Sequence, residues 1–526
     1  MNFYAGIHFP TLMFPPLPVY LIQGAFMKRM QAITLLVLTI AVLAAGCMTG
    51  QATTPESKGD ALFAQGEIAF QNNNLHAAAQ LFTLAQENYT AAGNATAALN
   101  ARNRASIAGR MTAEFPYNRS QIETIINATF PDIPAGRRES WLPCDQSQCI
   151  TSDGSVWYLV STVNNIKYHN MDIMRNATAE KGETPFYDQL KPYALAPAVQ
   201  GAGNYINPIS WEGTEVLSVP ADQLPKNGTL RLWIPLPIET ESQRNVTILS
   251  VEPAQYVKSR TGTDSDIGLA YLEIPLDSVT GDSLNVTATF RFTQYEQQFI
   301  IDPAKVGSYN TSDPEYLKYT APGKNIAITP EIKAQALEIV GNETNPFLQA
   351  EKIYWHVIGL PYSSVPHARL DAAGIPESTY VLSTGFGDCG SQSMYFAALC
   401  RAIGIPARAV GGYQLVPGYE GPHFWSEYYL PGYGWIPNDV TVAEGAEWSY
   451  NATDNERYQY KAYYAGNLDP YRYIIQKDVD IPLTPDAGDA VMFRTVVQSP
   501  KAVCDTCDTD PEFSLLENWT VNVKKV

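Results

Sequence analysis

Gly385-Phe386-Gly387-Asp388-Cys389-Gly390-Ser391-Gln392-Ser393 brings a thiol to the start of an expected helix, behind a glycine-rich approach. The thiolate is the nucleophilic form of cysteine, and a helix start supplies the positive end of the peptide dipoles and unpaired N–H groups. Gly387 and Gly390 let a substrate carbonyl come close to the backbone, where the N–H of Cys389 is a natural oxyanion donor. His423 follows at the head of His423-Phe424-Trp425-Ser426-Glu427-Tyr428-Tyr429-Leu430, where alternation puts 423, 425, 427 and 429 on one strand face. Asp439 comes after the turn Pro431-Gly432-Tyr433-Gly434 and is expected on the neighbouring strand. A thiol, an imidazole and a carboxylate in this order are a nucleophile, its base and the group that orients the base. Each has a plainer reading alone: Cys389 as a core cysteine, His423 in an aromatic cluster, Asp439 as a turn residue beside Asn438.

Outward from this stretch, the helix is expected to run to about Ile403, with strands at 407–415, 424–430 and 434–440. Upstream, Thr329-Pro330-Glu331-Ile332 reads as an N-cap with proline in the first turn of a helix reaching Val340, and a second helix covers 346–358. Residues 205–322 alternate in short strands (229–234, 246–251, 268–274, 284–292), as in a β-sandwich. Residues 113–204 are a mixed linker region, with a helix at 120–129 and a strand at 155–161. Residues 59–112 are alanine-rich helices broken at Asn72-Asn73-Asn74 and resemble tetratricopeptide hairpins, either a protein-binding surface or a spacer. Residues 323–475 form the expected catalytic core, and 476–526 a β-like or extended C-terminal extension.

The N-terminus carries an address. Lys28 and Arg29 precede the apolar run 33–43, which ends in Leu43-Ala44-Ala45-Gly46-Cys47. This reads as a secretory signal over 27–46, with Cys47 as the lipidated first residue of the mature chain and 47–58 as a tether. Residues 1–26 read as a mis-started segment, since Met27 opens a complete signal; the other reading of the apolar run is an uncleaved anchor. Twelve Asn-x-Ser/Thr triplets, against about four expected from composition, favour an N-glycosylated surface protein. Net charge of −18 argues against nucleic acid and against an anionic membrane surface as partner. Cys144 with Cys149, and Cys504 with Cys507, read as two local disulfides or as one four-thiolate zinc knot. Cys400 is some three turns from Cys389 on the same expected helix, too far to bridge it, and reads as a core residue.

Thr384-Gly385-Phe386-Gly387-Asp388-Cys389, Leu399-Cys400-Arg401-Ala402-Ile403-Gly404-Ile405-Pro406-Ala407-Arg408, His423-x-Trp425-x-Glu427 and Gly434-Trp435-x3-Asp439 together resemble the microbial transglutaminase-like superfamily. Weaker likeness reaches upstream to Trp233-Ile234-Pro235-Leu236-Pro237 and Tyr316-Leu317, and downstream to Gly466-Asn467-Leu468-Asp469-Pro470, so it spans about 205–475. The resemblance implies an α+β, papain-like core with Cys389 as nucleophile, His423 as base and acid, and Asp439 as orienter. In several relatives an upstream side chain completes the oxyanion hole, for which Tyr362 and Trp355 are the candidates here. No cofactor or metal is expected, since no acidic loop has calcium-ligand spacing. The expected activity is hydrolysis of an amide in a protein or peptide substrate through a thioester, outside the cytoplasm and tethered to the cell membrane by lipid. Crosslinking of Gln to Lys, or an idle core that serves assembly through the helical segment, are the alternatives.

Overall fold

The computed structural model describes residues 54–143, 148–184, 186–199, 201, 203–487, 497–504, 506–507 and 518–526. The expected signal, Cys47 and Cys144 lie outside them. The chain divides after Gly109 into two compact units. The first holds α1 (Pro55–Gln71), α2 (Leu75–Ala91) and most of α3 (Ala95–Glu114), joined by short turns. Leu62, Leu81, Phe82, Tyr89 and small alanines form its core.

The second unit begins with β1 (Tyr117–Asn118), α4 (Arg119–Thr129), α5 (Ala135–Glu139), β2 (Cys149–Ser152), β3 (Ser155–Tyr158), α6 (Thr162–His169), α7 (Met171–Lys181) and α8 (Tyr187–Ala194). These residues are more than the linker the sequence suggested. They have a core of their own around Ile122, Ile126, Phe130 and Tyr158. They also bond to the catalytic region: Asn165 and Ser364 exchange two hydrogen bonds (3.0 and 2.9 Å), and Thr178 donates to the Trp448 carbonyl at 2.8 Å.

The long strand β4 (Tyr205–Pro220) leads into β5 (Thr229–Pro235), β6 (Gln243–Glu252), β7 (Val257–Arg260), β8 (Leu269–Pro275) and β9 (Ser283–Gln298). Alternation sends Leu217 and Val219, Leu230, Leu232 and Ile234, and Leu284, Val286 and Ala288 into one core shared by two antiparallel sheets. Both sheets are completed from far along the chain. β15 (Lys501–Val503) pairs with β5, β16 (Trp519–Lys525) with β4, and β13 (Asn467–Leu468) with β9.

Next come α9 (Pro314–Thr320), α10 (Pro330–Val340), α11 (Pro346–Val357), α12 (His367–Ala372), α13 (Glu377–Thr384) and α14 (Cys389–Ala402). Thr329 caps α10 as the sequence suggested, its hydroxyl accepting from the Ile332 N–H. Every residue of α14 is buried, which is why the helix shows no polar face. It packs on β10 (Ala407–Gln414) and β11 (Gly421–Leu430) of a four-stranded antiparallel sheet ordered β12 (Gly434–Asn438), β11, β10, β14 (Arg472–Gln476). Between β12 and β14 the chain forms α15 (Val440–Trp448) and α16 (Asp454–Tyr463), which the sequence reading did not anticipate. The strand therefore stops at Asn438. Asp439 is a helix N-cap and not a strand residue, because its carboxylate accepts from the Val442 N–H in the first turn of α15. Cys504 and Cys507 form a disulfide, and Cys149 is disulfide-bonded as well. Among the described residues Cys389 and Cys400 are buried cysteines outside any disulfide.

Candidate active site

Cys389 is the first residue of α14, and Asp388 is the cap that starts it. The Ser391 N–H donates to Asp388 Oδ1 at 2.9 Å while the Asp388 N–H donates to Ser391 Oγ at 2.8 Å, a closed capping box. The approach is built by glycine. Gly385 ends α13 with φ of +74°, and a Cβ on Gly387 would stand 2.5 Å from Ser391 Oγ and 2.9 Å from a Val381 methyl. Gly387 also bridges in parallel to Tyr362, and its carbonyl accepts from the Ser363 N–H at 2.9 Å and from Gln392 Nε2 at 3.1 Å. The nucleophile loop is thereby stitched to the segment carrying Tyr362.

Tyr362 is buried edge-on against Tyr168 of α6 at 4.7 Å and against Trp448 of α15 at 6.2 Å. Burial first, then the charges of Cys389, Asp388 and Glu444, hold its phenol far above the usual range, so it stays protonated as a potential donor. Its backbone is bridged to Gly387, two residues before the thiol. Trp355 instead stacks on Tyr458 (5.6 Å, 7° between planes) and packs against Tyr354.

His423 and Asp439 meet as expected. The ring's Nε2 donates to Asp439 Oδ2 at 2.8 Å, with both side chains buried. Oδ1 of the same carboxylate accepts from the Val442 N–H at 3.0 Å and from Thr441 Oγ1 at 3.3 Å. A partner missed by the sequence reading completes the group. Arg472 Nη1 donates to Asp439 Oδ2 at 2.5 Å, and Nη2 to Asp469 Oδ2 at 2.6 Å, with the guanidinium 5.3 Å over the Trp425 ring. Burial pushes the Asp439 carboxyl up, but the charges of His423 and Arg472 outweigh it and hold it well below the usual carboxylate range. Asp439 therefore remains an anion able to fix the ring's tautomer. Arg472 could have been noticed as a lone cation in the apolar run Tyr471 to Ile475, since a buried arginine needs carboxylate partners.

The strand carrying His423 is tied on both sides. Gln498 Nε2 donates to the carbonyls of His423 and Gly412, at 2.8 Å each. Ser426 Oγ, three residues on, donates to the Ser393 carbonyl one turn into α14 at 3.4 Å, which links β11 to the nucleophile helix. Glu444 of α15 is also buried. Desolvation raises its carboxyl well above the usual range, and Gln392 Nε2 lies 3.5 Å from its Oε1. The free thiol of Cys400 is held protonated by burial, in contrast to what a nucleophile requires.

Residues 333–440 match the family model described as the transglutaminase-like superfamily. This segment belongs to that superfamily. An uncharacterized protein of Haemophilus influenzae (strain KW20 / Rd) is 31% identical over 162 residues, covering 26% of this chain and 42% of that relative. The chain thus spans less than half the length of the curated relative it matches. Among solved structures, it is similar to a candidate cysteine protease from Cytophaga hutchinsonii at 15% identity, TM-score 0.38, over 61% of this chain and 91% of the other. It is also similar to the periplasmic domain of TgpA from Pseudomonas aeruginosa at 17% identity, TM-score 0.23, over 44% of this chain and 96% of the other. The transglutaminase-like segment contains all three triad candidates, Cys389, His423 and Asp439, and the oxyanion candidate Tyr362.

Proposed function

We propose that this protein is a cysteine-dependent amide hydrolase or peptidase that works through a thioester, with Cys389 as nucleophile, His423 as acid and base, and Asp439 as orienter. The observation that carries the reading is the His423–Asp439 hydrogen bond. With Nε2 committed to the carboxylate, Nδ1 is the nitrogen left to exchange a proton with the thiol. The Cys389 thiolate adds to the substrate carbonyl, the protonated His423 gives its proton to the leaving amine, and a thioester remains. Water, deprotonated by His423, then adds to the thioester and releases a carboxylate and the thiol. The Cys389 N–H at the helix start and the Tyr362 phenol are the donors available to the oxyanion.

The test is acid quenching during turnover of an amide or ester peptide, followed by intact-mass measurement. An acyl adduct on the parent, localised to Cys389 and missing from Cys389→Ala, is expected. Turnover that survives Cys389→Ala overturns the reading. The proposal extends to location: an exported protein lipidated at Cys47, on the strength of the sequence pattern at 27–47. Metabolic labelling with a fatty-acid analogue should mark the parent and not Cys47→Ser.

A further inference from the structure

A second imidazole stands against the nucleophile's cap. His367, the first residue of α12, has Nε2 2.7 Å from Asp388 Oδ2 and Nδ1 2.9 Å from Glu377 Oε1. Both carboxylates are almost fully buried, and the ring is 14% exposed. Asp388 is thereby divided: Oδ1 caps α14 through Ser391, while Oδ2 faces the ring. Two ring nitrogens facing two carboxylate oxygens need one more proton than a neutral imidazole carries. An ordinary imidazole holds a proton more strongly than an ordinary carboxyl, so the ring is where that proton belongs. The other charged groups nearby fit this arrangement. Glu114, at the end of α3, accepts from the N–H groups of Ala368 (2.7 Å) and Arg369 (2.9 Å) at the α12 start. Asp371 on α12 is paired with Lys324, Arg369 is the one cation among the residues of α12 besides His367 itself, and His169 of α6 lies against Phe386 at 5.1 Å.

We propose that His367 is a positioning residue for the nucleophile: as an imidazolium clamped between Glu377 and Asp388, it holds the cap of α14 in place and offsets the negative charge standing next to Cys389. The inference rests on Cys389 being the nucleophile. Asp388 is the residue immediately before the thiol, so an uncompensated carboxylate there opposes thiolate formation and cancels part of what the helix start provides. With the imidazolium in place, Oδ2 is satisfied and Oδ1 is free to serve the helix. In this scheme His367 acts on the thiol through Asp388.

The measurement is the pH dependence of Cys389 alkylation by iodoacetamide, read by mass spectrometry on the full chain. His367→Gln should move the midpoint up by about one pH unit and slow alkylation roughly tenfold below it. Adding His367→Gln to Asp388→Asn, which retains a capping oxygen but removes the charge, should produce no further shift. An unchanged profile in His367→Gln, or the same shift in the Asp388→Asn background, overturns the proposal. If His367→Gln does not fold, the parent still decides: nitrogen-15 histidine spectra at pH 7.5 should show both ring nitrogens of His367 protonated, and a neutral ring overturns the clamp. The two readings fail separately. Ordinary thiol reactivity in the parent sinks the catalytic reading, whereas a reactive parent with a neutral His367 sinks only the clamp.

Discussion

Two imidazoles flank the structural setting of one thiol, and the chain has wired them differently. His423 has a carboxylate on Nε2 only, and that carboxylate is itself held by Arg472. His367 has a carboxylate on each nitrogen. A ring bound on one side keeps a nitrogen for proton exchange; a ring bound on both sides is locked into one protonation state and one orientation. The carboxylates differ as well. Asp439 is balanced by a guanidinium shared with Asp469, so it remains charged in a dry setting, while Asp388 is balanced by an imidazole and by the Ser391 N–H of a helix start. Residue type alone therefore does not tell a base from a clamp; the number of carboxylates on the ring does.

The largest effect that would break this contrast is expected at the nucleophile. Cys389→Ala should lower turnover by on the order of 10⁶-fold, to background, in an assay of peptide amide cleavage. Asp439→Asn, which offers the ring an amide in place of an anion, should lower kcat by roughly 10³- to 10⁴-fold with little change in KM. Equal effects of Asp439→Asn and His367→Gln on kcat would erase the distinction between the two rings. Arg472→Met leaves the two buried carboxylates of Asp439 and Asp469 uncompensated and should destabilise the fold by about 3–5 kcal/mol in urea unfolding. A loss under 1 kcal/mol would show that Arg472 is not what balances Asp439.

The smallest effect expected is one of pH on stability. Folded Glu444 keeps its proton to a higher pH than the unfolded chain does. The parent therefore loses stability as pH rises through the ordinary Glu value of about 4.3 and on toward the raised folded value. Glu444→Gln has no such loss, so its melting temperature should match the parent near pH 4 and exceed it by roughly 2 °C at pH 8. The sign is opposite for Asp439, whose depressed carboxyl contributes stability that is present above the ordinary Asp value of about 3.9 and lost only as pH falls through the lower folded value. Melting curves of Asp439→Asn and the parent should accordingly converge on acidification.

The limits of α10, α11 and α14 and the course of β5 and β8 were legible because caps, prolines and alternation are written locally, in Thr329-Pro330, Asn345-Pro346 and Leu230-x-Leu232-x-Ile234. The helix after Asp439 was not, because α15 is buried throughout its first seven residues, Thr441 and Glu444 included, and gives no amphipathic period to follow. Arg472, Gln498 and Tyr168 were missed for a different reason. They reach the site from 33 positions after Asp439, 75 after His423 and nearly 200 before Tyr362, and no local pattern encodes such distances. The strands after residue 500 were read only as a β-like or extended C-terminal segment for the same reason, with no sign that they complete both sheets.

From the amino-acid order alone came the thiol at a helix start, the imidazole and carboxylate that follow it, and the superfamily to which 333–440 belong. Those are properties of neighbouring residues, where a cap or a glycine acts within one turn of chain. Only the folded molecule decided which nitrogen of His423 is taken, that Arg472 stands behind Asp439, and that His367 closes on the cap of α14. Those choices depend on which charges are driven together out of water, and burial is a property of the whole chain.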